Sequence, residues 1–336
     1  MSIVASEMIW RKSATNDNTT SNGGRMTKTA ITDDAKNNLW PDVSQAERSS
    51  GSLYYRKAHL HIANDADLQL LQSRVFVETY TPGADAITIF LGTATDTEAS
   101  ISGAEQQYGC GSLNADVLAA VTTIDIFTEG SALAYFVNGM LIRISDKTDV
   151  NDAVNNEEYV TIDSAVTYVG DVATVTFTPA LANGYTAAAT RVASVIQAGT
   201  IESTATAPVV TTALSGTVDS AYLTMDSIGS VEQNWTLTFT GTAGQSTTTF
   251  DILGDTVGSI GSGTTSGGAT PTNTDFSKPY FVMTSAAFGG VFQTGDTITF
   301  TTTPAAIPVW QKRTIAAGTA SLSNNKVIIG VDGESA

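Results

Sequence analysis

The stretch YYRKAHLHIANDADLQLLQSRVFVETYTPGADAITIFLGT, residues 54–93, contains segments in which apolar and polar residues alternate. This alternation is typical of a β-strand with one buried face, because successive side chains of a strand point to opposite sides of the sheet. The turn-forming sequences NDAD and TPGAD separate these segments. Strands joined by such short loops predict an antiparallel β-sandwich, with these apolar positions on one face of each strand: Ala58, Leu60, Ile62, Val75, Val77, Ile87 and Ile89.

Alternating segments continue through the rest of the sequence. VTTIDIFTE, MLIRISDK, EEYVTIDS, VATVTFTPAL and TRVASVIQAGT predict a small barrel or sandwich over residues 112–200. Asn138-Gly139 predicts a tight hairpin between the first two of these strands. SAYLTM, NWTLTFTG, TTTFDIL, PYFVMT, DTITFTTT and KVIIGV predict another sandwich over residues 201–336. The fold class is therefore predicted to be all-β with little helix, built from small modules at residues 53–111, 112–200 and 201–336.

Residues 1–52 differ from the rest, because they are polar and lack a clear period. They are predicted to form an extended N-terminal arm, with one short helical turn in TDDAKNNLW. Two apolar spots stand out in this arm: Met8, Ile9 and Trp10, and then Leu39 and Trp40. These residues either pack on their own domain or dock on a neighbouring subunit. Since an extended arm of this length reaches well past one domain, we expect Met8, Ile9, Trp10, Leu39 and Trp40 to contact other subunits by adding a strand to a neighbour's sheet edge.

Composition excludes several functional classes. The 336 residues include 16 basic and 33 acidic ones, a net charge of −17, and such an acidic surface repels the phosphates of nucleic acids. No apolar run approaches the ~18 residues that a membrane-spanning helix needs, so no membrane insertion is expected. The N-terminus lacks the charge order of a secretory signal, which predicts synthesis in a cytoplasm. Cys110 is the single cysteine and is expected in the core.

The polar clusters do not predict catalytic chemistry, a cofactor or a metal. His59 and His61 share one face of a strand, but no further histidine exists to complete a zinc site. The acidic segment 145–158 does not match the spacing of a calcium loop, so a solvated loop is expected for Asp146, Asp149, Asp152, Glu157 and Glu158. The segment 256–274, rich in Gly, Ser and Thr, lacks the lysine and the helix of a phosphate loop. It is predicted to be a long loop that is either mobile or ordered only against a partner.

An internal similarity links the two ends of the chain. YYRKAHLHIANDADLQLLQSRVFV and WQKRTIAAGTASLSNNKVIIGV share the order aromatic residue, basic pair, strand, polar turn and second strand. The similarity is interpreted as two sandwich modules of one kind that flank a different middle unit.

Two stretches carry a resemblance to a known class of proteins. Residues 37–78, with the turn LWPDV followed by the strand start GSLYYR, resemble a segment recurrent in virion structural proteins of tailed bacteriophages. Residues 295–335 resemble the terminal Ig-like module of similar proteins, especially those of Mu-like phages. The resemblance covers about a quarter of the chain, and its motifs are recurring compositions with no catalytic signature.

The resemblance implies a non-enzymatic virion subunit, most simply a tail component of the tube or the tail tip. Such a subunit would form homo-oligomeric rings or helical stacks and contact other virion proteins. The alternatives are a minor capsid or decoration protein of the phage head, and a carbohydrate-binding adhesin module that uses Trp235, Tyr280 and Phe281. The expected location is the virion, after synthesis in the host cytoplasm.

Overall fold

A computed structural model describes residues 2–128, 134–148, 150–241 and 247–336. Strands make up 47% of the chain and helices 6%, and the sheets are antiparallel. The prediction of an all-β fold is therefore confirmed.

The strands are numbered β1 to β26 in chain order. Their bounds are β1 Met8–Thr15, β2 Gly23–Ala30, β3 Ser52–Ile62, β4 Leu70–Thr79, β5 Asp85–Leu91, β6 Cys110–Leu113, β7 Thr123–Phe127, β8 Leu141–Ser145, β9 Glu157–Ile162, β10 Thr167–Val169, β11 Val172–Thr178, β12 Arg191–Ile201, β13 Thr204–Ala205, β14 Val209–Thr211, β15 Thr217–Val218, β16 Leu223–Thr224, β17 Gln233–Phe239, β18 Thr249–Gly254, β19 Gly258–Thr264, β20 Thr272–Asn273, β21 Lys278–Pro279, β22 Val282–Met283, β23 Phe288–Gly289, β24 Thr297–Thr303, β25 Ala306–Ile315 and β26 Ile328–Ser335.

The helical elements are short. The α-helix α1, Gln45–Ser50, is N-capped by the Ser44 hydroxyl, and the Glu47 carboxylate reaches back to the Ser44 main chain. This reciprocal arrangement satisfies main-chain N–H groups that the helix cannot pair itself. Short 3₁₀ turns occur at Ala5–Glu7, Glu98–Ser100, Ser220–Tyr222 and Ser285–Ala287. Within the described residues, no helix has the length and apolar character needed to cross a membrane.

The first module, the terminal sandwich, is built from both ends of the chain. One layer has the strand order β2-β1-β3-β25-β5, and the other has β26-β4-β12. Alternating apolar residues of the two layers meet in one core, as expected for packed sheets. This core includes Leu60, Ile62, Val75, Val77, Ile89, Val195, Ile196 and Val309, together with the predicted core residue Cys110, which is buried.

The similarity between the two chain ends has a different origin from the one expected. β25 lies directly beside β3, with Val309 opposite Ala58, and β26 pairs with β4. The similar segments are thus partner strands within one sandwich, and the interpretation as two separate modules is wrong. Neighbouring strands that face the same core need the same apolar pattern, which is a sufficient reason for the similarity.

The second module is a closed barrel. Its strands follow the ring β12-β6-β7-β11-β9-β8-β12, over residues 110–201. β12 is shared: its first half closes the barrel, and its second half pairs with β4 in the terminal sandwich. The hairpin expected at Asn138-Gly139 is not formed, because β7 pairs with β6 and β11 while β8 pairs with β9 and β12. The connection between β7 and β8 instead places Tyr135 and Phe136 in the barrel core.

The third module, the threonine-rich module, covers residues 204–303. Its main sheet has the order β13-β24-β17-β18-β19, with β14 also on β24. One face packs on an aromatic core that includes Trp235, Phe239, Phe250, Phe281 and Phe300. The boundary expected at 201–336 is corrected, since β25 and β26 belong to the terminal sandwich. Thr204 lies opposite Thr303, so the module begins and ends at adjacent points and is an insertion into the sandwich.

This arrangement predicts that residues 203–304 fold alone. The fragment carries a complete core and adjacent ends, so we expect a strand-type circular dichroism spectrum and cooperative urea unfolding. The matched control is a fragment of residues 201–336, which adds β25 and β26 without their partner strands and should aggregate or show disordered resonances for residues 306–335 in NMR spectra. Cooperative folding of 201–336 with ordered terminal strands, and disorder of 203–304, would contradict the observed boundaries.

Candidate interaction surfaces

The first apolar spot of the N-terminal segment lies inside the terminal sandwich. Met8, Ile9 and Trp10 are in β1, which pairs with β3 so that Trp10 lies opposite Leu60. Met8 and Trp10 pack against the sandwich core, and Ile9 is partly buried on the other face of the sheet. These residues therefore pack on their own chain, which is the fold-back alternative.

The expected arm is consequently much shorter than fifty residues. Residues 8–15 and 23–30 are extended, as predicted, but they form the hairpin β1–β2 at the edge of β3. Pairing there gives the main-chain groups of β1 strand partners and removes its apolar side chains from water, whereas a free arm would leave those side chains exposed. Contact between this segment and another subunit stays a prediction, now confined to surfaces that the hairpin leaves exposed.

Trp40 covers the polar end of the terminal sandwich. Its ring lies 5.0 Å from the Arg56 guanidinium and 5.7 Å from that of Arg313. Its Nε1 donates to Oε1 of Gln311 at 2.9 Å. Leu39 beside it is partly buried. Cation–π attraction and this hydrogen bond attach the segment before α1 to β3 and β25, again within one chain.

The outer face of β1 and β3 is buried by the threonine-rich module. Arg11 Nε donates to Nδ1 of His61 at 2.7 Å, and His61 Nε2 donates to the main-chain oxygen of Ser227 at 2.8 Å. The Arg11 guanidinium also lies 4.9 Å from the Phe276 ring. Burial lowers the pKa of His61 to about 4, so the imidazole is neutral at pH 7 with both nitrogens satisfied. The histidine that was expected on a polar strand face thus joins two modules.

A buried lysine lies further along the same face. Lys57 is fully buried, and its Nζ donates to the Asp96 carboxylate and, at 2.9 Å, to the main-chain oxygen of Gly24. Asp96 also accepts from Trp310 Nε1 at 2.9 Å. A buried ammonium group is tolerated when it is paired and hydrogen-bonded in this way. Gly23 allows the close cover, since its φ is +107° and a Cβ there would lie 2.7 Å from the Trp310 ring.

Ion pairs surround the contact between the sandwich and the threonine-rich module. Arg25 pairs with Asp255 at 3.1 Å and Lys28 with Asp275 at 2.7 Å. A third pair joins Lys278 to Asp65, with 2.6 Å between Nζ and Oδ1. Sequence reasoning did not single out these charges, because each pair joins residues far apart in the sequence that share no motif.

Several strands lie at sheet edges among the described residues, including β2, β5, β10, β19 and β26. β19 pairs with β18 only, and β26 with β4 only. β26 carries Asp332 and Glu334, the kind of charges that discourage pairing with other chains. β19 has the sequence GSIGSGT, without charge or proline. The segment 256–274 was expected to be a long loop, and this expectation is corrected: part of it is this edge strand.

The acidic segment uses its carboxylates within the barrel. The Asp152 carboxylate accepts from the main-chain N–H groups of Val154 and Thr148, which lowers its pKa. Asp146 accepts from the main-chain N–H of Asn156 at 2.6 Å. Asp149 lies outside the described residues.

The two glutamates of that segment are also engaged. Glu157 pairs with Arg143 and, at 2.8 Å, with Lys147. Glu158 accepts from the main-chain N–H groups of Ala182 and Asn183 at 2.7 and 2.8 Å. In the described ranges, no group of three or more His, Cys, Asp or Glu side chains is placed to hold a metal ion.

The aromatic residues of the adhesin alternative do not form a surface. Trp235 and Phe281 are fully buried, and Tyr280 is 9% exposed. Trp235 packs against both rings in the core, with centroids 5.3 Å from Tyr280 and 5.2 Å from Phe281. These residues therefore stabilise the threonine-rich module, and the idea that they form a sugar-binding platform is wrong.

Comparison with protein-family models, with curated proteins and with solved structures found no match to this chain. Its function has to be inferred from the surfaces described above.

The two tryptophans of the N-terminal segment should stabilise the isolated subunit. A fully buried Trp→Ala change costs about 3–5 kcal/mol, and for these half-buried rings we expect about 2 kcal/mol each for Trp10→Ala and Trp40→Ala. The controls are Val4→Ala and Leu53→Ala, whose side chains are 52% and 48% exposed. Urea unfolding of monomeric protein measures the effect. Equal losses in all four variants would show that the tryptophans do not pack on their own chain.

His61 should make folding sensitive to acid. Its pKa falls from an unfolded value near 6.5 to about 4, so the unfolded state takes up a proton first as the pH decreases. The stabilisation by neutral His61 is complete above pH 6.5 and is lost between pH 6.5 and 4, by about 1.4 kcal/mol per pH unit.

The measurement is the free energy of unfolding from pH 7.5 to 4.5 for the unsubstituted protein and for His61→Gln. The free energy of unfolding should fall less steeply with decreasing pH in His61→Gln, because this variant lacks the His61 contribution. The carboxylates and His59 contribute equally to the two proteins. Parallel curves would mean that His61 titrates normally in the folded protein.

Proposed function

We propose that the protein is a non-enzymatic structural subunit of a tailed-phage virion, a component of the tail tube or tail tip that assembles in many copies. The observation that supports this proposal is the edge of β19, which has no charge or proline and is unpaired up to Thr264, where the chain bridges to Gly268. Natural monomers usually protect such edges, since an open edge is a template for pairing with another chain.

The edge geometry favours a head-to-tail contact. β19 lies in the threonine-rich module, whereas β2, β5 and β26 are edge strands of the terminal sandwich. A contact between two different surfaces of identical subunits generates rings when the rotation closes and helical stacks when it does not. In this proposal β19 of one subunit pairs with a different surface of the next subunit, and contacts of the N-terminal segment are secondary.

The remaining features agree with a structural role. The described residues form small β modules joined by a shared strand and by ion pairs, and the carboxylates described for the acidic segment are engaged in internal contacts. The net charge of −17 provides repulsion between free subunits, which would delay association until a template is present. In this proposal the subunit is made in the host cytoplasm and ends in the virion, with itself and other virion proteins as partners. A decoration protein of the phage head is the alternative, and it would use the same edges in a trimer.

Charges introduced on the β19 edge should weaken self-association. Ser259 and Ser262 are exposed on this strand, and Ser259→Lys/Ser262→Lys places two like charges at the proposed contact. We expect at least about a tenfold higher dissociation constant in sedimentation velocity and loss of rings or tubes in negative-stain micrographs. The matched control is Thr299→Lys, an exposed position on the face of the same sheet away from that edge.

Unchanged assembly of the double variant would contradict a β19 contact. Protein that stays monomeric at every concentration, and that mass spectrometry does not detect in purified virions, would contradict the proposed function itself. Copy number per particle separates the locations, because hundreds of copies indicate a tube or shell and a few indicate the tail tip.

A further inference from the structure

A cleft of about 200 Å³ lies between the terminal sandwich and the threonine-rich module. Residues 25–28 of β2 and the start of β25 form one wall, and residues 232–233, 256–257 and 273–276 form the other. This volume is below the ~300–1,000 Å³ of pockets for drug-sized ligands, so it suits a small molecule or a single side chain.

His59 lies against this cleft with an unused acceptor. The residue is 2% exposed, and its Nε2 has no hydrogen-bond partner among the described residues. The main-chain carbonyl of Gly24 accepts a hydrogen bond from the ring, while burial lowers the pKa of His59 to about 3. The imidazole is therefore neutral at pH 7, and Nε2 offers a lone pair. A buried acceptor without a partner costs free energy, which a hydrogen-bond donor in the cleft would recover.

Glu232 supplies a second acceptor in the same cleft. Burial raises the pKa of its carboxyl group, and the Thr303 hydroxyl is its hydrogen-bonding neighbour. A partly desolvated carboxylate gains more from a cation than an exposed one does, because less water has to be displaced from it. The ligand that suits this position is a donor that carries positive charge.

The positive groups of the cleft are already neutralised. Arg25 pairs with Asp255 and also donates to the main-chain oxygen of Glu232 at 2.7 Å, and Lys28 pairs with Asp275. The two ion pairs are neutral, and the Glu232 carboxylate adds one negative charge, so the net charge of these five side chains is −1. The surplus charge lies on Glu232, so a cation is favoured over an anion.

The cleft also has an apolar part. Met26, Val257, Phe276 and Pro308 line it. These side chains would pack against methylene groups, as the stems of lysine and arginine side chains do on other apolar surfaces. A charged head with an aliphatic stem matches both parts of the cleft.

We propose that this cleft binds an alkylammonium or alkylguanidinium group, whose charged head pairs with Glu232 and donates a hydrogen bond to His59 Nε2. The same chemistry is presented by a free amine or polyamine and by a lysine or arginine side chain of another protein. This inference does not depend on the proposed virion function.

The test is calorimetric titration of the full chain at pH 7 and low salt with n-butylammonium, ethylguanidinium, putrescine and N-acetyl-lysine-amide. NMR resonances of the Glu232 carboxyl carbon and the His59 ring report on the site directly. We expect saturable shifts of both groups, and an affinity for n-butylammonium at least about tenfold weaker in Glu232→Gln. The matched control is Asp251→Asn, an exposed carboxylate on β18 outside the cleft, which should leave the affinity unchanged.

The outcomes separate the possibilities. Equal binding of N-acetyl-lysine-amide and n-butylammonium shows that the cleft accepts a lysine side chain, as the proposal requires of a protein ligand, whereas preference for putrescine favours a free polyamine. Binding of n-butanol or glucose as tight as that of n-butylammonium, or unchanged affinity in Glu232→Gln, overturns the proposal of a cation site. Absence of any shift at Glu232 and His59 with all four cations also overturns it, and this readout needs only the unsubstituted protein.

Discussion

The structure depends on the main-chain pairing of β25 between β3 and β5. β25 pairs with β3 over its whole length, from Ala306 to Ile315, and with β5 from Val309 opposite Leu91 to Ile315 opposite Asp85. Without it, β3 and β5 would each expose a row of unpaired N–H and C=O groups beside an incomplete apolar core. Because β25 comes from the far end of the chain, the barrel and the threonine-rich module both lie between strands that must meet. Their adjacent entry and exit points follow from that requirement.

Sequence patterns predicted the strands with one buried face and missed how the strands pair. The alternation through Leu60 and Ile62 and through Val75 and Val77 identified β3 and β4, since a half-buried strand needs that period. The same pattern does not say which strands are neighbours, so β25 was assigned to the wrong module. α1 was also missed, although Ser44 and Glu47 have the spacing of a capping box. β19 was not predicted, because Gly and Ser have low strand propensity. It forms a strand through its pairing with β18.

The interaction surfaces were predictable to a smaller extent. Met8, Trp10 and Trp40 were recognised as side chains that must be covered, which physical chemistry requires of any large apolar group. The local sequence does not say which residues cover them, because Trp10 packs on a core assembled from distant strands and Trp40 packs against Arg56 and Arg313. The sequence did not predict the cleft with His59 and Glu232 for the same reason. Its walls come from residues that are far apart in the sequence and carry no motif.

The late position of β25 has a consequence for the order of events during synthesis. More than 200 residues separate Leu91, the end of β5, from Ala306, the start of β25. At roughly 5–20 residues per second, a ribosome needs on the order of 10–40 s to cover that distance. During this time the barrel can close and the threonine-rich module can fold, while the edges of β3 and β5 that later pair with β25 remain unpaired. The nascent chain is therefore most vulnerable to wrong pairing at its earliest strands, and a chaperone that shields residues 52–91 would act at that point.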